Sequence, residues 1–105
     1  MLNSRHEARW QYALKIATKI DNYLKKGYIV YDEDHSQITS IEILENEVVL
    51  HGEGYTSSLF LNDPEWDMGV YTPIYKMREK YQKWTVLHPK DYKFLVKGKR
   101  NPENV

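Results

Sequence analysis

The chain of 105 residues contains no cysteine, which excludes disulfide bridges, thiolate metal sites and cysteine nucleophiles within it. Small secreted domains usually depend on disulfides, so their absence favours a reducing compartment. The first ten residues contain no apolar run of the kind that a signal peptide needs. No uncharged stretch approaches the roughly 20 residues of a transmembrane helix. We therefore expect a cytoplasmic protein that does not enter the membrane.

Lysine and arginine are absent from residues 28–75, which carry ten acidic side chains. The flanking segments compensate, because residues 1–27 carry six basic and two acidic side chains, and residues 76–105 carry nine basic and three acidic. In one interpretation, basic helices pack beside an acidic sheet and their fields largely cancel. In the other, the fold has an acidic face and a basic face, each directed at a partner. The sequence leaves both open.

The clearest element of the sequence is an amphipathic helix over residues 5–26. Ser4 followed by Glu7 matches a capping box, and Gly27 suits the C-terminal cap. Between them, apolar residues recur at intervals of three and four and predict a stripe that faces the core. The stripe consists of Trp10, Ala13, Leu14, Ala17, Ile20 and Leu24.

Residues 28–61 predict a run of short strands, at residues 28–31, 38–44, 47–51 and 55–61. Glu45 and Asn46 suit a hairpin turn, because asparagine tolerates the left-handed conformation. Gly52 and Gly54 predict a bend or a bulge. Simple alternation in the last strand places Leu59 and Phe60 on opposite faces.

Residues 62–69 predict an acidic turn, after which Thr72 and Pro73 are typical of the N-cap and first residue of a second helix. That helix continues through a second apolar stripe until Pro89 ends the segment. The stripe consists of Ile74, Met77, Tyr81 and Trp84. Residues 91–97 fit either a strand or a short helix.

This order of elements predicts one α+β domain over residues 1–105, with a loose tail at residues 99–105. It comprises an N-terminal amphipathic helix, an antiparallel sheet of three to five strands and a second helix after the sheet. Consecutive antiparallel strands leave one face of such a sheet either solvated or covered by the helices.

The sequence contains no motif for catalysis or metal binding. Its histidines, of which His6 is expected to be exposed, lack the spacing of a zinc site. The acidic run at residues 32–35 lacks the glycine and closing glutamate of a calcium loop, and a solvated turn explains it. There is no nucleophile elbow or phosphate-binding glycine loop. We therefore predict no enzyme, no catalytic residue, no metal and no cofactor.

The residue most suggestive of a binding function is Trp66, an aromatic flanked by carboxylates in the predicted turn and outside either apolar stripe. Tryptophan, tyrosine and arginine dominate binding hot spots. Trp66 could equally fold back and plug one end of the core. On the first interpretation, the predicted protein-binding residues are Asp63, Glu65, Trp66, Asp67 and Tyr71.

These features favour a non-catalytic protein-binding module, such as the stoichiometric inhibitors or adaptors that phages and mobile elements encode. Its partner would be a larger protein with a basic surface. A nucleic-acid-binding domain that uses the basic helices is one alternative. The acidic segment weakens the field that phosphate binding requires, so we expect no specific duplex DNA binding. A small-ligand domain with a tyrosine-lined pocket is the other alternative.

Overall fold

The computed structural model describes residues 2–69 and 73–90 and confirms the α+β architecture. Its elements in chain order are α1 (Leu2–Lys25), β1 (Ile29–Tyr31), β2 (Gln37–Ile43), β3 (Glu47–Gly52), β4 (Tyr55–Leu61), α2 (Pro64–Gly69), α3 (Ile74–Gln82) and β5 (Thr85–Leu87). The strands form one curled antiparallel sheet in the order β4-β3-β2-β1-β5. No helix within the described part of the chain is long and apolar enough to cross a membrane.

Helix α1 packs across one face of the sheet through the predicted stripe. Trp10, Ala13, Ala17 and Ile20 are buried, and the two alanines allow a close approach to the strands. Leu14 and Leu24, which were also predicted to face the core, pack against it but are only partly buried.

The N-terminus of α1 differs from the prediction, whereas its C-terminus agrees with it. The helix begins at Leu2, so Ser4 lies inside it and is not the N-cap. At the other terminus Gly27 adopts φ +88° and donates its N–H to Leu24, while Tyr28 donates to Tyr23. This pair of hydrogen bonds is the Schellman arrangement, so the predicted glycine cap is confirmed.

Strand β4 does not alternate as predicted. Val48 pairs with Phe60 and Val49 with Ser58, so Leu59 is an extra residue that bulges out of the ladder. Leu59 and Phe60 are consequently both buried, and the prediction that they occupy opposite faces is wrong.

The hairpin between β3 and β4 depends on two glycines for different reasons. Gly54 takes φ +84° in the turn, a conformation that glycine adopts at low cost. Gly52 instead lies beneath the ring of Tyr55, and a Cβ there would fall 1.9 Å from Tyr55 Cε1. The absent side chain at Gly52 therefore lets Tyr55 lie across the neighbouring strand.

The segment after β4 contains more regular structure than predicted. Residues 64–69 are helix α2 instead of a turn, and Asp63 Oδ1 accepts the N–H of Glu65 at 3.0 Å as its cap. Helix α3 has Pro73 as its N-cap, and Thr72, the predicted cap, lies outside the described residues.

Helix α3 stops at Gln82, and the chain then adds β5 beside β1, an edge strand that the apolar spacing did not reveal. Trp84 is buried between these two elements instead of extending the stripe of α3. The alternative folds of residues 91–97 and the loose tail at 99–105 also lie outside the described residues.

Candidate functional site

The predicted binding residues separate into three groups in the structure. Asp63 and Glu65 are exposed at the start of α2. Trp66 is half-buried against the core, and Asp67 is almost fully buried, with 2% of its surface exposed. Tyr71 lies outside the described residues. Helix α2 therefore presents only part of the predicted set to solvent.

Asp67 is the acceptor at the centre of a buried polar network that joins α2 to α1. Arg9 Nε donates to both carboxylate oxygens, at 3.0 Å to Oδ1 and 3.1 Å to Oδ2, and its terminal nitrogen also pairs with Oδ2. His6 Nδ1 lies 2.8 Å from Oδ2, while its Nε2 lies 2.6 Å from Asn62 Oδ1. The network thus joins residues about 60 positions apart in sequence.

His6 and Arg9 are both buried, so the prediction that His6 is exposed is wrong. Their exposed fractions are 6% and 5%, so neither lies on a solvated helical turn. Both extend the buried stripe of α1 by one turn beyond Trp10, at the three- and four-residue spacing of the apolar positions. That spacing was a usable signal, because charged residues on a buried stripe require a partner of opposite charge.

The electrostatics of Asp67 fit a structural role. Burial by itself raises the pKa of this carboxyl, but hydrogen bonds from Arg9 and His6 outweigh that effect and hold the pKa below its ordinary value. The carboxylate is therefore ionised near neutral pH and occupied by donors. It lacks the raised pKa that a general base near neutrality needs.

Trp66 packs at the edge of the core close to this network. Its ring meets Phe60 edge-on, with centroids 5.3 Å apart and planes at 72°. Trp66, Phe60, Met77 and Tyr81 share a small cavity of about 80 Å³ between α2, α3 and β4. This contact supports the core-plug interpretation for the buried part of the indole and leaves the remainder at the surface.

The β2–β3 hairpin and α2, at the same end of the sheet, carry exposed apolar side chains that the sequence analysis missed. Ile43 and Leu44, at the β2–β3 hairpin, are 43% and 47% exposed, and Met68 on α2 is 61% exposed. The residues that lead into α2 contact the hairpin, because Asn62 donates its N–H to the carbonyl of Asn46 at 2.7 Å. We call this region the acidic end: Ile43, Leu44, Glu45, Glu47, Asp63, Glu65, Trp66 and Met68.

The β1–β2 turn forms a second organised region at the opposite end of the sheet. Asp32, which is 9% exposed, accepts the N–H groups of Asp34 and Ser36 at 2.8 and 2.9 Å through Oδ1. Its Oδ2 accepts the Tyr55 hydroxyl at 3.1 Å. The turn is thus a fixed structure and not simply a solvated acidic run.

Beside this turn, the curl of the sheet leaves a cleft of about 270 Å³ between β4 and the α3–β5 corner. In this cleft, Trp84 Nε1 donates a hydrogen bond to Glu33 Oε1 at 2.8 Å. Lys80 Nζ lies 3.6 Å from the other oxygen of the same carboxylate. Burial, then the hydrogen bond and charge of Asp32, raise the pKa of Tyr55 to about 12. Tyr55 is the one tyrosine that lines this cleft, which gives little support to a tyrosine-lined ligand pocket.

The described residues offer little for catalysis or metal binding. They contain no group of three or more potential metal ligands. His51 lies on the exposed face of the sheet, with Nε2 2.6 Å from Glu42 Oε1 and Nδ1 3.2 Å from Thr56 Oγ1. This chain of contacts contains no strong nucleophile, and it sits on an open strand surface instead of the partly dry pocket that acid–base chemistry uses.

No protein-family model, no curated protein and no solved structure matches this chain. Its function is therefore inferred from the acidic end and from the β1–β2 turn with its cleft.

Proposed function

We propose that the chain is a non-catalytic protein-binding module, of the inhibitor or adaptor type, that engages a basic surface of a larger protein through the acidic end. The observation that carries this proposal is that exposed apolar side chains and exposed carboxylates occur together in the β2–β3 hairpin and in α2. Three of the four large apolar residues that are exposed in the described chain, Ile43, Leu44 and Met68, belong to the acidic end.

The physical argument combines two contributions. The exposed carboxylates Glu45, Asp63 and Glu65, with the partly exposed Glu47, would speed encounter with a basic partner and orient it. Leu44, Met68 and the accessible part of Trp66 would supply apolar area at the centre of the contact. Asp67 would act as a positioning residue, because it fixes α2 from within, and Tyr71 remains a proposed contact of the same surface.

The test compares matched charge reversals at the two ends of strand β3. Glu45→Lys changes the acidic end, whereas Glu53→Lys makes the same change in the β3–β4 turn at the other end, and both positions are exposed. The full-length chain and each variant are used as bait in quantitative affinity capture, followed by titration of the purified partner.

We expect the partner to be retained by the parent and by Glu53→Lys and to be lost from Glu45→Lys. Leu44→Ser should weaken binding by roughly tenfold without lowering the thermal midpoint, because an exposed side chain contributes little to folding. Equal capture by all four proteins would contradict the proposal. A partner that proves to be a nucleic acid, released steeply by salt, would favour the basic helices instead.

A further inference from the structure

Strand β4 has the properties of an edge that accepts another strand. It is the terminal strand of the sheet and, within the described residues, is paired with β3 alone. Edge strands are usually protected by lysine, proline, inward-pointing charge or a β-bulge. The seven residues Tyr55–Leu61 contain no charge and no proline, although 29% of the whole chain is charged, and their bulge lies at Leu59, beyond the exposed centre of the strand. Its centre, at Thr56, Ser57 and Ser58, is exposed.

The cleft of about 270 Å³ runs alongside this edge. Ser57, Ser58 and Leu59 line one wall, and residues 32–34 with Lys80 and Trp84 line the other. In an edge strand, every second residue directs its N–H and C=O groups away from its neighbour. Within the described residues, β4 therefore has backbone groups without a strand partner, and its Ser57, Ser58 and Leu59 lie across the cleft from three carboxylates and one lysine.

The opposite wall is rigid and negative. Among the described residues, the two oxygens of Asp32 accept hydrogen bonds from uncharged donors and form no ion pair. Asp34 is exposed at the rim and Glu33 is partly offset by Lys80. A segment entering the cleft would meet a negative potential that is already organised before binding.

We propose that this cleft binds an extended, lysine- or arginine-containing segment of a partner protein, which adds to the free edge of β4 as a sixth strand. Main-chain hydrogen bonds to β4 supply the affinity, and the carboxylates at the rim select basic side chains. The site lies at the opposite end of the sheet from the acidic end and is independent of it.

Charge favours this occupant over a second copy of the chain. Antiparallel pairing of β4 with the β4 of another copy would bring two sets of residues 32–34 towards one another, and like charges at an interface are unfavourable. The remaining competitor is the chain's own residues 91–105, which carry four basic and two acidic side chains.

The experiment uses the full chain and three capped octapeptides. The first alternates lysine with threonine, the second alternates glutamate with threonine, and the third is the lysine peptide N-methylated at alternate residues. N-methylation removes donors to β4 and keeps the charge. Binding is followed through the backbone amide chemical shifts of residues 55–61 in labelled protein.

The lysine peptide should bind with a Kd between about 10 μM and 1 mM and shift the β4 amides, as expected for weak edge addition. The other two peptides should bind at least about tenfold more weakly. Asp34→Asn should weaken the lysine peptide by roughly two- to fivefold. Glu7→Gln, an equal charge change at an exposed position of α1 outside both proposed sites, should leave its Kd unchanged.

Three results would overturn the proposal. The N-methylated peptide binding as tightly as the lysine peptide would show attraction by charge alone. Shifts confined to residues outside β4 would place the peptide elsewhere. Protection from hydrogen exchange of all three Thr56–Ser58 amides in the free protein, including those directed away from β3, would show that the edge is already covered, by residues 91–105 in a monomer or by a second copy in a dimer.

Discussion

Asp67 and Asp32 are both buried aspartates that hold a connecting segment in place, but their partners differ in kind. Asp67 is bound by the side chains of Arg9 and His6, so its charge is compensated inside the fold. Asp32 is bound by two backbone N–H groups and a tyrosine hydroxyl, all of them uncharged. The Asp67 carboxylate therefore anchors helix α2, and its negative charge has little effect outside the fold. The Asp32 carboxylate orders the β1–β2 turn and keeps its negative charge beside an open cleft.

The same contrast applies to the acidic segment 28–75 and the basic segments that flank it, whose charges, within the described part of the chain, are paired in some places and unpaired in others. Arg9 with Asp67, and Lys80 with Glu33, connect a basic flank to the acidic middle segment. Part of the charge therefore cancels within the domain. Glu45, Asp63 and Glu65 are exposed at the acidic end and Glu47 is partly exposed there, with no such ion pair among the described contacts, so these carboxylates are available for recognition.

The largest effect is expected from removing the cation that compensates Asp67. Arg9→Ala leaves a buried carboxylate without its guanidinium partner and should lower the free energy of unfolding by about 3–5 kcal/mol. Equilibrium denaturation measures this loss. The double variant Arg9→Met with Asp67→Leu should recover much of it, because apolar residues of similar volume replace both charges. A loss below about 1 kcal/mol for Arg9→Ala would mean that the network contributes little to folding.

A smaller loss is expected at Trp66, which is half-buried against Phe60. Trp66→Ala should cost about 2 kcal/mol, less than the 3–5 kcal/mol of a fully buried aromatic. Trp66→Phe, which keeps a ring on Phe60, should cost less than half as much. Affinity for the partner is measured on the same samples. If Trp66→Ala keeps its stability and still loses binding, the indole is a surface anchor and not a core plug.

The smallest effect concerns the charge that Asp32 retains. Asp32→Asn should lower the pKa of Tyr55 from about 12 towards its ordinary value of 10.0, without reaching it because burial is the largest cause of the shift. Tyrosine-labelled NMR titration follows this group. Because the folded pKa is raised, the protonated phenol stabilises the fold fully below pH 10 and this stability is lost as the pH rises through 12.

The matched control for that titration is Glu45→Gln, which removes one charge at the far end of the sheet. It should leave the pKa of Tyr55 unchanged. An equal fall in both variants would show that net charge, and not the hydrogen bond from Tyr55 to Asp32, sets the value.

Elements defined by local patterns were predictable from the sequence. The buried stripe of α1 follows from its three- and four-residue spacing, and the bounds of β4 coincide with the predicted residues 55–61. Gly27 was predicted as a cap because the left-handed conformation favours glycine. In each case the physical cause lies within a few residues of the feature.

Features that depend on distant contacts were missed. Nothing near Asp67 in sequence indicates that Arg9, 58 residues away, neutralises it. Strand β5 has only three residues and depends on its pairing with β1, so no periodicity could reveal it. The bulge at Leu59 likewise arises from register with β3, which alternation within one strand does not encode.

The most direct test of the contrast between the two aspartates is to replace each by asparagine and compare the free energies of unfolding. Asp67→Asn should cost about 3 kcal/mol, because it leaves Arg9 buried without a counter-charge. Asp32→Asn should cost about 1 kcal/mol or less, because an amide oxygen can still accept hydrogen bonds from uncharged donors. Equal losses in the two variants, or a larger loss at Asp32, would contradict the account.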